Sequence, residues 1–259
     1  MTTSFAKNMY QADLVKYYDV MHQHRNYCQE CNFVNQLIHR YCPGTTQVLD
    51  IGCGTGEHAV RMAQRGYTVT AIDTSQDMIA LAQEKAQKAG VTIDFQCTDI
   101  QSLSLTEGFQ AIYALGYTFL YMTTYADIMS FLTASYQALQ HQGVFLVDFI
   151  NGWSLIDQYP RDKFVYHRGN TTIFCFHQAS LKKPERVKHI EFYYVISDHD
   201  GQVKTIFTEE DLRIFFDDEV QLFFTHCGFE QVTSFRDYSF ETPQSGHDGS
   251  IILVVGQKY

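Results

Sequence analysis

The sequence is short of basic residues: 19 Lys and Arg stand against 29 Asp and Glu, a formal net charge of −10 with His neutral. A protein that grips phosphate backbones needs a basic face, so nucleic acid is not expected as a partner. Long hydrophobic runs are also missing. No stretch approaches the roughly 18 apolar residues of a spanning helix, and Met1 to Asn8 holds no apolar signal region, so no membrane partner is expected. Only four prolines accompany 45% hydrophobic and 15% aromatic residues, which excludes a disordered chain. The seven cysteines are odd in number and scattered, several of them inside apolar runs as small hydrophobes, a usage that fits a reduced, cytoplasmic setting. Cys28-Gln29-Glu30-Cys31 has no second pair to complete a zinc site, the His residues form no H-x-x-x-H set beside acids, and Gly-x-Ser-x-Gly is absent. Neither a metal site nor the commonest hydrolase chemistry is expected.

Apolar residues recur at helical spacing from Tyr10 to Tyr41, closed by Pro43-Gly44, which predicts two amphipathic helices. Short β-branched runs then alternate with helical patterns. Strands are expected near Gln47–Ile51, Thr68–Ile72, Thr92–Gln96, Phe109–Leu115 and Gly143–Phe149, with helices near Glu57–Arg65, Ser75–Lys88 and Tyr125–Gln140. Near-continuous apolar strands joined by helices indicate a parallel, doubly wound α/β unit. After Asn151 the rhythm turns antiparallel, through Phe164–His167, Thr171–His177, Val187–Ser197 and Val203–Phe215, with a hairpin turn at Asp200-Gly201. A helix (Asp218–Cys227) and two strands (Phe229–Phe235, Ser250–Gly256) close the chain. The expected division is 1–44, a helical N-terminal segment; 45–150, the α/β core; 151–216, an antiparallel insertion; and 217–259, the return to the core.

The most informative stretch is Val48-Leu49-Asp50-Ile51-Gly52-Cys53-Gly54-Thr55-Gly56-Glu57-His58, a buried strand entering a glycine turn that opens a helix. Alternate glycines remove side chains where a ligand must approach the backbone. A dinucleotide fingerprint wants G-x-G-x-x-G, but Glu57 occupies the third glycine's place, so the spacing disfavours NAD. Asp73 closes the second strand seventeen residues past Gly56, and Asp99 follows the third. Asp73 before Thr74-Ser75 also reads as a helix cap.

An acidic strand residue followed by G-x-G-x-G resembles the class I S-adenosylmethionine-dependent methyltransferases over about residues 45–150. The resemblance implies a Rossmann-like seven-stranded sheet with helices on both faces, and S-adenosylmethionine as cofactor, leaving as S-adenosylhomocysteine. It implies that Asp73 accepts both ribose hydroxyls, that Asp99 sits near the adenine amino group with Ile100 on the ring, and that Asp50 organises the loop near the methionine ammonium. A cofactor without pyrophosphate needs no phosphate cradle, and its sulfonium and ammonium favour nearby carboxylates.

Tyr17-Tyr18-Asp19-Val20-Met21-His22-Gln23-His24-Arg25-Asn26-Tyr27, with the insertion ending Thr208-Glu209-Glu210-Asp211-Leu212-Arg213-Ile214-Phe215-Phe216, is similar to small-molecule N-methyltransferases such as dTDP-aminosugar N,N-dimethyltransferases and glycine N-methyltransferases. There a tyrosine-rich N-terminal segment folds over the cofactor and a β insertion shapes the acceptor pocket. This chain has Gly116-Tyr117-Thr118-Phe119-Leu120-Tyr121 where some of those enzymes place a His. Cofactor contacts are therefore expected from Tyr17, Tyr27, Asp50, Gly52, Cys53, Gly54, Gly56, Asp73, Thr74, Met78, Asp99, Ile100, Leu115 and Gly116. Tyr17, Tyr117 and Asp148 are the catalytic candidates, and Tyr18, Tyr121, Asn151, Trp153 and Arg213 the acceptor candidates. Methyl transfer to an amine nitrogen of a small molecule is the leading reading, since a neutral amine needs no strong base. An O-methyltransferase and a non-catalytic cofactor-binding module remain as alternatives, and the resemblance allows a homodimer.

Overall fold

A computed structural model describes residues 2–5, 12–100, 102, 108–157, 161–197, 201, 203–240 and 251–259. In chain order its elements are β1 (Thr2–Phe5), a 3-10 helix (Ala12–Tyr17), α1 (Tyr18–Met21), α2 (Tyr27–Tyr41), β2 (Gln47–Ile51), α3 (Glu57–Gln64), β3 (Thr68–Asp73), α4 (Gln76–Ala89), β4 (Asp94–Cys97) and β5 (Phe109–Ala114). A 3-10 helix (Thr118–Tyr121), α5 (Tyr125–Ala138), β6 (Leu139–Ile150), α6 (Gly152–Asp157), β7 (Arg161–Arg168), β8 (Thr171–Lys182), β9 (Val187–Ser197), β10 (Val203–Arg213), α7 (Asp217–His226), β11 (Glu230–Arg236) and β12 (Ile251–Gln257) follow.

The apolar strands build a seven-stranded sheet in the order β11-β12-β6-β5-β2-β3-β4, parallel from β6 to β4, with β12 antiparallel to both β6 and β11. Alternate residues point to opposite faces, so the continuous runs need cover on both. Leu49, Ile112, Phe145 and Val147 pack against Phe131, Leu132, Val220 and Phe224 of α5 and α7. Val48, Ala111, Tyr113 and Leu146 pack against Phe33, Leu37, Ala59, Met62 and Ile79 of α2, α3 and α4. The chain runs outward from β2 to β4 and then returns to β5 on the other side of β2. At that reversal the connections leave in opposite directions and open a crevice beyond the strand ends, where open α/β sheets take ligands.

The insertion is a second sheet, ordered β1-β10-β9-β8-β7. The expected hairpin joins β9 to β10, with Ser197 opposite Val203; Asp200 of its turn lies outside the described residues. One face carries Ile173, Cys175, Tyr194, Ile196 and Ile206, all buried. They pack against Leu14, Tyr17, Val20 and Met21 from the N-terminal segment.

The N-terminus departs most from expectation. Only α2 is a full helix; the segment before it is a 3-10 helix and one α-turn, because Asn26 starts α2 afresh by accepting the Gln29 N–H at 3.1 Å. Strand β1 and helix α6 were not expected from the sequence, and β1 adds in parallel to the β10 edge. Among the described residues no helix is long and apolar enough to cross a membrane.

Candidate functional site

Strand β2 ends in a loop whose glycines 52, 54 and 56 all have positive φ. At Gly52 a side chain is also sterically barred, since a Cβ would lie 2.5 Å from Thr118 Oγ1, whereas at Gly54 it would meet nothing within 4 Å. The loop thus presses its first glycine on the Thr118–Tyr121 turn and presents bare backbone at the second. Asp73, at the end of β3, fixes it: one carboxylate oxygen accepts the Gly54 N–H and the other the Ser75 N–H, each at 2.8 Å. The helix cap of α4 is Ser75, which accepts from Met78 N, so Asp73 serves the loop instead. Burial pushes the Asp73 carboxyl above its ordinary range, opposed by those backbone donors.

Beyond these strand ends lies a cavity of about 300 Å³. Its walls bring together Tyr27, Gly52, Cys53, Gly54, Asp73, Thr74, Asp99, Ile100, Leu115 and Gly116. Asp99 also accepts the Ser102 N–H at 2.8 Å, which fixes the turn after β4. Carboxylates at the ends of two neighbouring strands, an apolar slot at Ile100 and Leu115, and exposed backbone at Gly54 suit an adenosine bearing hydroxyls. Four other residues expected here, Tyr17 among them, lie outside the cavity wall. Gly56 caps α3, Met78 is fully buried in α4, and Asp50 is 1% exposed behind the loop. Burial, with the charge of Asp73, raises the Asp50 carboxyl well above its usual range.

A second cavity of about 200 Å³ adjoins the first, sharing Tyr18, Gly116 and Tyr121 as walls. It lies between the sheet edge, the N-terminal segment and the inner face of the insertion, with Tyr117, His22, Phe164, Tyr166, Phe192, Tyr194 and Glu210 around it. Burial governs its titrations: Tyr117 is pushed up to about 12 and His22 down to about 4. Burial likewise raises the Tyr18 and Tyr27 hydroxyls.

Five expected acceptor-side or catalytic residues lie elsewhere. Tyr17 faces away, 7% exposed in the apolar cluster beneath the insertion, and Tyr18 takes the place between the two cavities. Asp148 is fully buried and lines neither cavity; its oxygens accept Gly116 N at 3.0 Å, Tyr117 N at 2.8 Å and the Tyr238 hydroxyl. It holds the turn after β5 in place rather than facing an acceptor. Asn151 bridges to Phe215 where the insertion leaves the core, and Trp153 packs on Phe216 with ring centroids 5.1 Å apart. Arg213 donates to the carbonyls of Thr123 and Glu185 at 3.2 and 3.3 Å. These three stitch the insertion to the core.

Sequence reasoning passed over Arg25, which joins the first cavity's wall. Its Nε and Nη2 donate to the two Glu30 oxygens at 3.1 and 2.7 Å, and its guanidinium stacks 5.2 Å from the Tyr27 ring and 4.9 Å from the Tyr117 ring. His58 Nε2 lies 2.7 Å from the same Glu30. A lone Arg among histidines reads as solvated; its signal is Glu30 five residues on, inside an otherwise apolar helix face. Glu210 was missed as well, within a run of three acids.

Substituting Asp73 by Ala removes an acceptor in the cavity and the tie to Gly54 together. Affinity for S-adenosylmethionine is expected to fall by about 1–3 kcal/mol, the cost of leaving a buried polar group without its hydrogen-bond partner. Calorimetry reads this directly, and an unchanged affinity would move the ribose site elsewhere.

Residues 48–143 match the family model described as "Methyltransferase domain". A glycine/sarcosine N-methyltransferase of Parasynechococcus marenigrum is 28% identical over 220 residues, 83% of this chain and 73% of that one. The dTDP-3-amino-3,4,6-trideoxy-alpha-D-glucopyranose N,N-dimethyltransferase of Streptomyces venezuelae is 23% identical over 223 residues, 80% of this chain and 92% of that one. The crystal structure of an S-adenosylmethionine-dependent methyltransferase from Clostridium acetobutylicum superposes with a TM-score of 0.80 at 18% identity, covering 94% of this chain and 96% of that one.

Proposed function

We propose that this chain, an S-adenosylmethionine-dependent methyltransferase, passes the methyl group to the amine nitrogen of a small acceptor held in the second cavity. The observation that carries the reading is that cavity's chemistry: tyrosine and phenylalanine walls around the buried carboxylate of Glu210, continuous with the cofactor cavity through Tyr18 and Tyr121. The N-methyltransferase names of two relatives support it. An O-methyl acceptor would want a base beside its hydroxyl, and His22, pushed down to about 4, is a poor one.

When bound, the cofactor would supply an electrophilic methyl carbon on a sulfonium; the amine lone pair forms the N–C bond as the C–S bond breaks, with its electron pair staying on sulfur. Asp73 and Asp99 would hold the ribose and adenine, Gly54 would let the ligand meet the backbone, and Arg25, facing the same cavity, would attract a carboxylate. Tyr18 and Tyr121 stand where the two ligands meet, and with Tyr117 they keep water out and orient the nitrogen. Such orientation converts a bimolecular displacement into an effectively unimolecular one. An ammonium acceptor loses a proton before attack, and the transfer restores a positive nitrogen, so each turnover releases one proton to solvent.

The division into a lid (1–44), a cofactor core (45–150), an acceptor-shaping insertion (151–216) and a returning segment (217–259) belongs to the same proposal. So does a cytoplasmic setting, suited to seven free thiols.

The pH dependence tests the nucleophile. Only the neutral amine attacks, so kcat/KM should rise with pH up to the free amine's pKa and then level off. His22 near 4 and Tyr117 near 12 stay clear of that window. Stopped assays with two amines of different pKa should show the rise moving with the amine. A limb that stays fixed would assign it to an enzyme base and favour O-methylation.

A further inference from the structure

We infer that the second cavity selects a compact amine bearing no carboxylate or phosphate, received as a cation between Glu210 and a wall of aromatic rings. The inference rests on the amine reading above and names its substrate class.

Glu210 lies in β10 and is 8% exposed, with Oε2 accepting the Tyr121 hydroxyl at 3.0 Å. Tyr121 also borders the cofactor cavity, so the carboxylate is one side chain removed from the place where the methyl group arrives. Tyr18, Phe192 and Tyr194 line the same space. Ring faces attract cations, and a carboxylate set among them makes a cation the favoured occupant. No Lys or Arg is among the described residues lining this cavity, and His22 is neutral near pH 7 because burial holds it at about 4. An amino-acid carboxylate or a sugar diphosphate would find no Lys or Arg among those described residues and would face the Glu210 carboxylate. Size points the same way, since at about 200 Å³ this cavity is smaller than the roughly 300 Å³ cofactor cavity beside it and suits a compact group. The names of the relatives point to acceptors that carry just such anions, a glycine or sarcosine carboxylate or a dTDP group. The acceptor inferred for this chain differs from both.

Tetramethylammonium tests the cavity without being a methyl acceptor, and tert-butanol is its near-isosteric neutral counterpart. With the full chain loaded with S-adenosylhomocysteine, calorimetry should show tetramethylammonium binding at least tenfold more tightly than tert-butanol, with glycine and dTDP failing to displace it. Glu210→Gln keeps the shape and the Tyr121 contact; it should weaken tetramethylammonium at least tenfold and leave tert-butanol within threefold. Phe192→Leu should weaken tetramethylammonium several-fold through the ring alone, so the test does not hang on one variant. Equal binding of tetramethylammonium by wild type and Glu210→Gln, or tighter binding of glycine or dTDP, would overturn the inference. Parallel assays with cyclohexylamine and cyclohexanol separate the two readings. Methylated hydroxyls with Glu210-dependent cation binding would remove the amine reading and keep the cation site. Methylated amines with Glu210-independent binding would do the reverse.

Discussion

An Arg25→Met protein is expected to melt at a markedly lower temperature and to bind S-adenosylmethionine at least a hundredfold more weakly. The Arg25 side chain is 5% exposed, paired with Glu30 at 6% and lying 3.8 Å from Asp148 at 0%. Removing the cation leaves two buried carboxylates without it, and breaking a buried pair in this way costs about 3–5 kcal/mol. That is a large share of the roughly 5–15 kcal/mol that stabilises a domain. The cofactor cavity suffers too, because Tyr27 and Tyr117 lose the plane they stack on and Asp148 anchors the Gly116-Tyr117 turn. The pH dependence has a definite sign. Burial works against the Glu30 charge, but the His58 hydrogen bond and Arg25 outweigh it and hold the carboxyl below its ordinary range. Its contribution is therefore complete above the ordinary carboxylate range and lost as pH falls through the depressed value. In Arg25→Met the Glu30 pKa rises, and the acid limb of the stability curve should move to higher pH. Arg25→Lys should recover little, because an ammonium cannot make the two-pronged contact. Thermal melts from pH 4 to 8 with calorimetry at neutrality decide; wild-type values in both would take Arg25 out of the site.

The contrast between Asp73 and Asp148 explains what the sequence could reveal. Asp73 ends a short strand at a set distance past the glycine turn, so strand order and spacing place it at the cavity, although its tie to Gly54 was not expected. Asp148 lies equally near a strand end, but its partners are the backbone of residues 116 and 117 and the hydroxyl of Tyr238, about 30 and 90 residues away in sequence. No local signal reports that these fill its oxygens. Tyr17 and Tyr18 differ by one position, and which one faces the cavity depends on a 3-10 helix passing into a single α-turn, a register that apolar periodicity does not resolve. The acids 209–211 look solvated as a run. The two-residue period of β10 nevertheless buries Ile206, Thr208 and Glu210 on one face, with the Glu209 side chain 49% exposed on the other. That alternation is readable in the sequence, but a run of three acids obscures it.

Removal of residues 1–26 is expected to abolish turnover, and to do so by unsettling the insertion as well as by opening the cofactor cavity. Two kinds of contact hold the N-terminal segment, and their magnitudes differ. Asp19 accepts from the Thr55 hydroxyl at 2.6 Å and from Lys85 Nζ at 2.9 Å, a latch onto the glycine loop whose charged partners are 33% and 23% exposed. Half-solvated pairs of this sort contribute about 0–1 kcal/mol, so Lys85→Met should raise the KM for S-adenosylmethionine only a few-fold. Leu14, Tyr17, Val20 and Met21 are instead buried to 7% exposure or less against the inner face of β8, β9 and β10. At about 1.5–3 kcal/mol for each large apolar side chain, their packing is worth on the order of 6–12 kcal/mol before any discount for a compact unfolded state. That rivals the stability of a whole domain, so the apolar face and not the latch fixes the segment. Truncation also deletes Tyr18 and Arg25 from the cavity walls. Hydrogen exchange on the truncated chain should then show protection lost across β8, β9 and β10 and retained in β2, β3 and β5, whose core partners lie after residue 26. Full protection of the insertion, or turnover within tenfold of the intact chain, would mean that the N-terminal segment neither supports the second sheet nor completes the site.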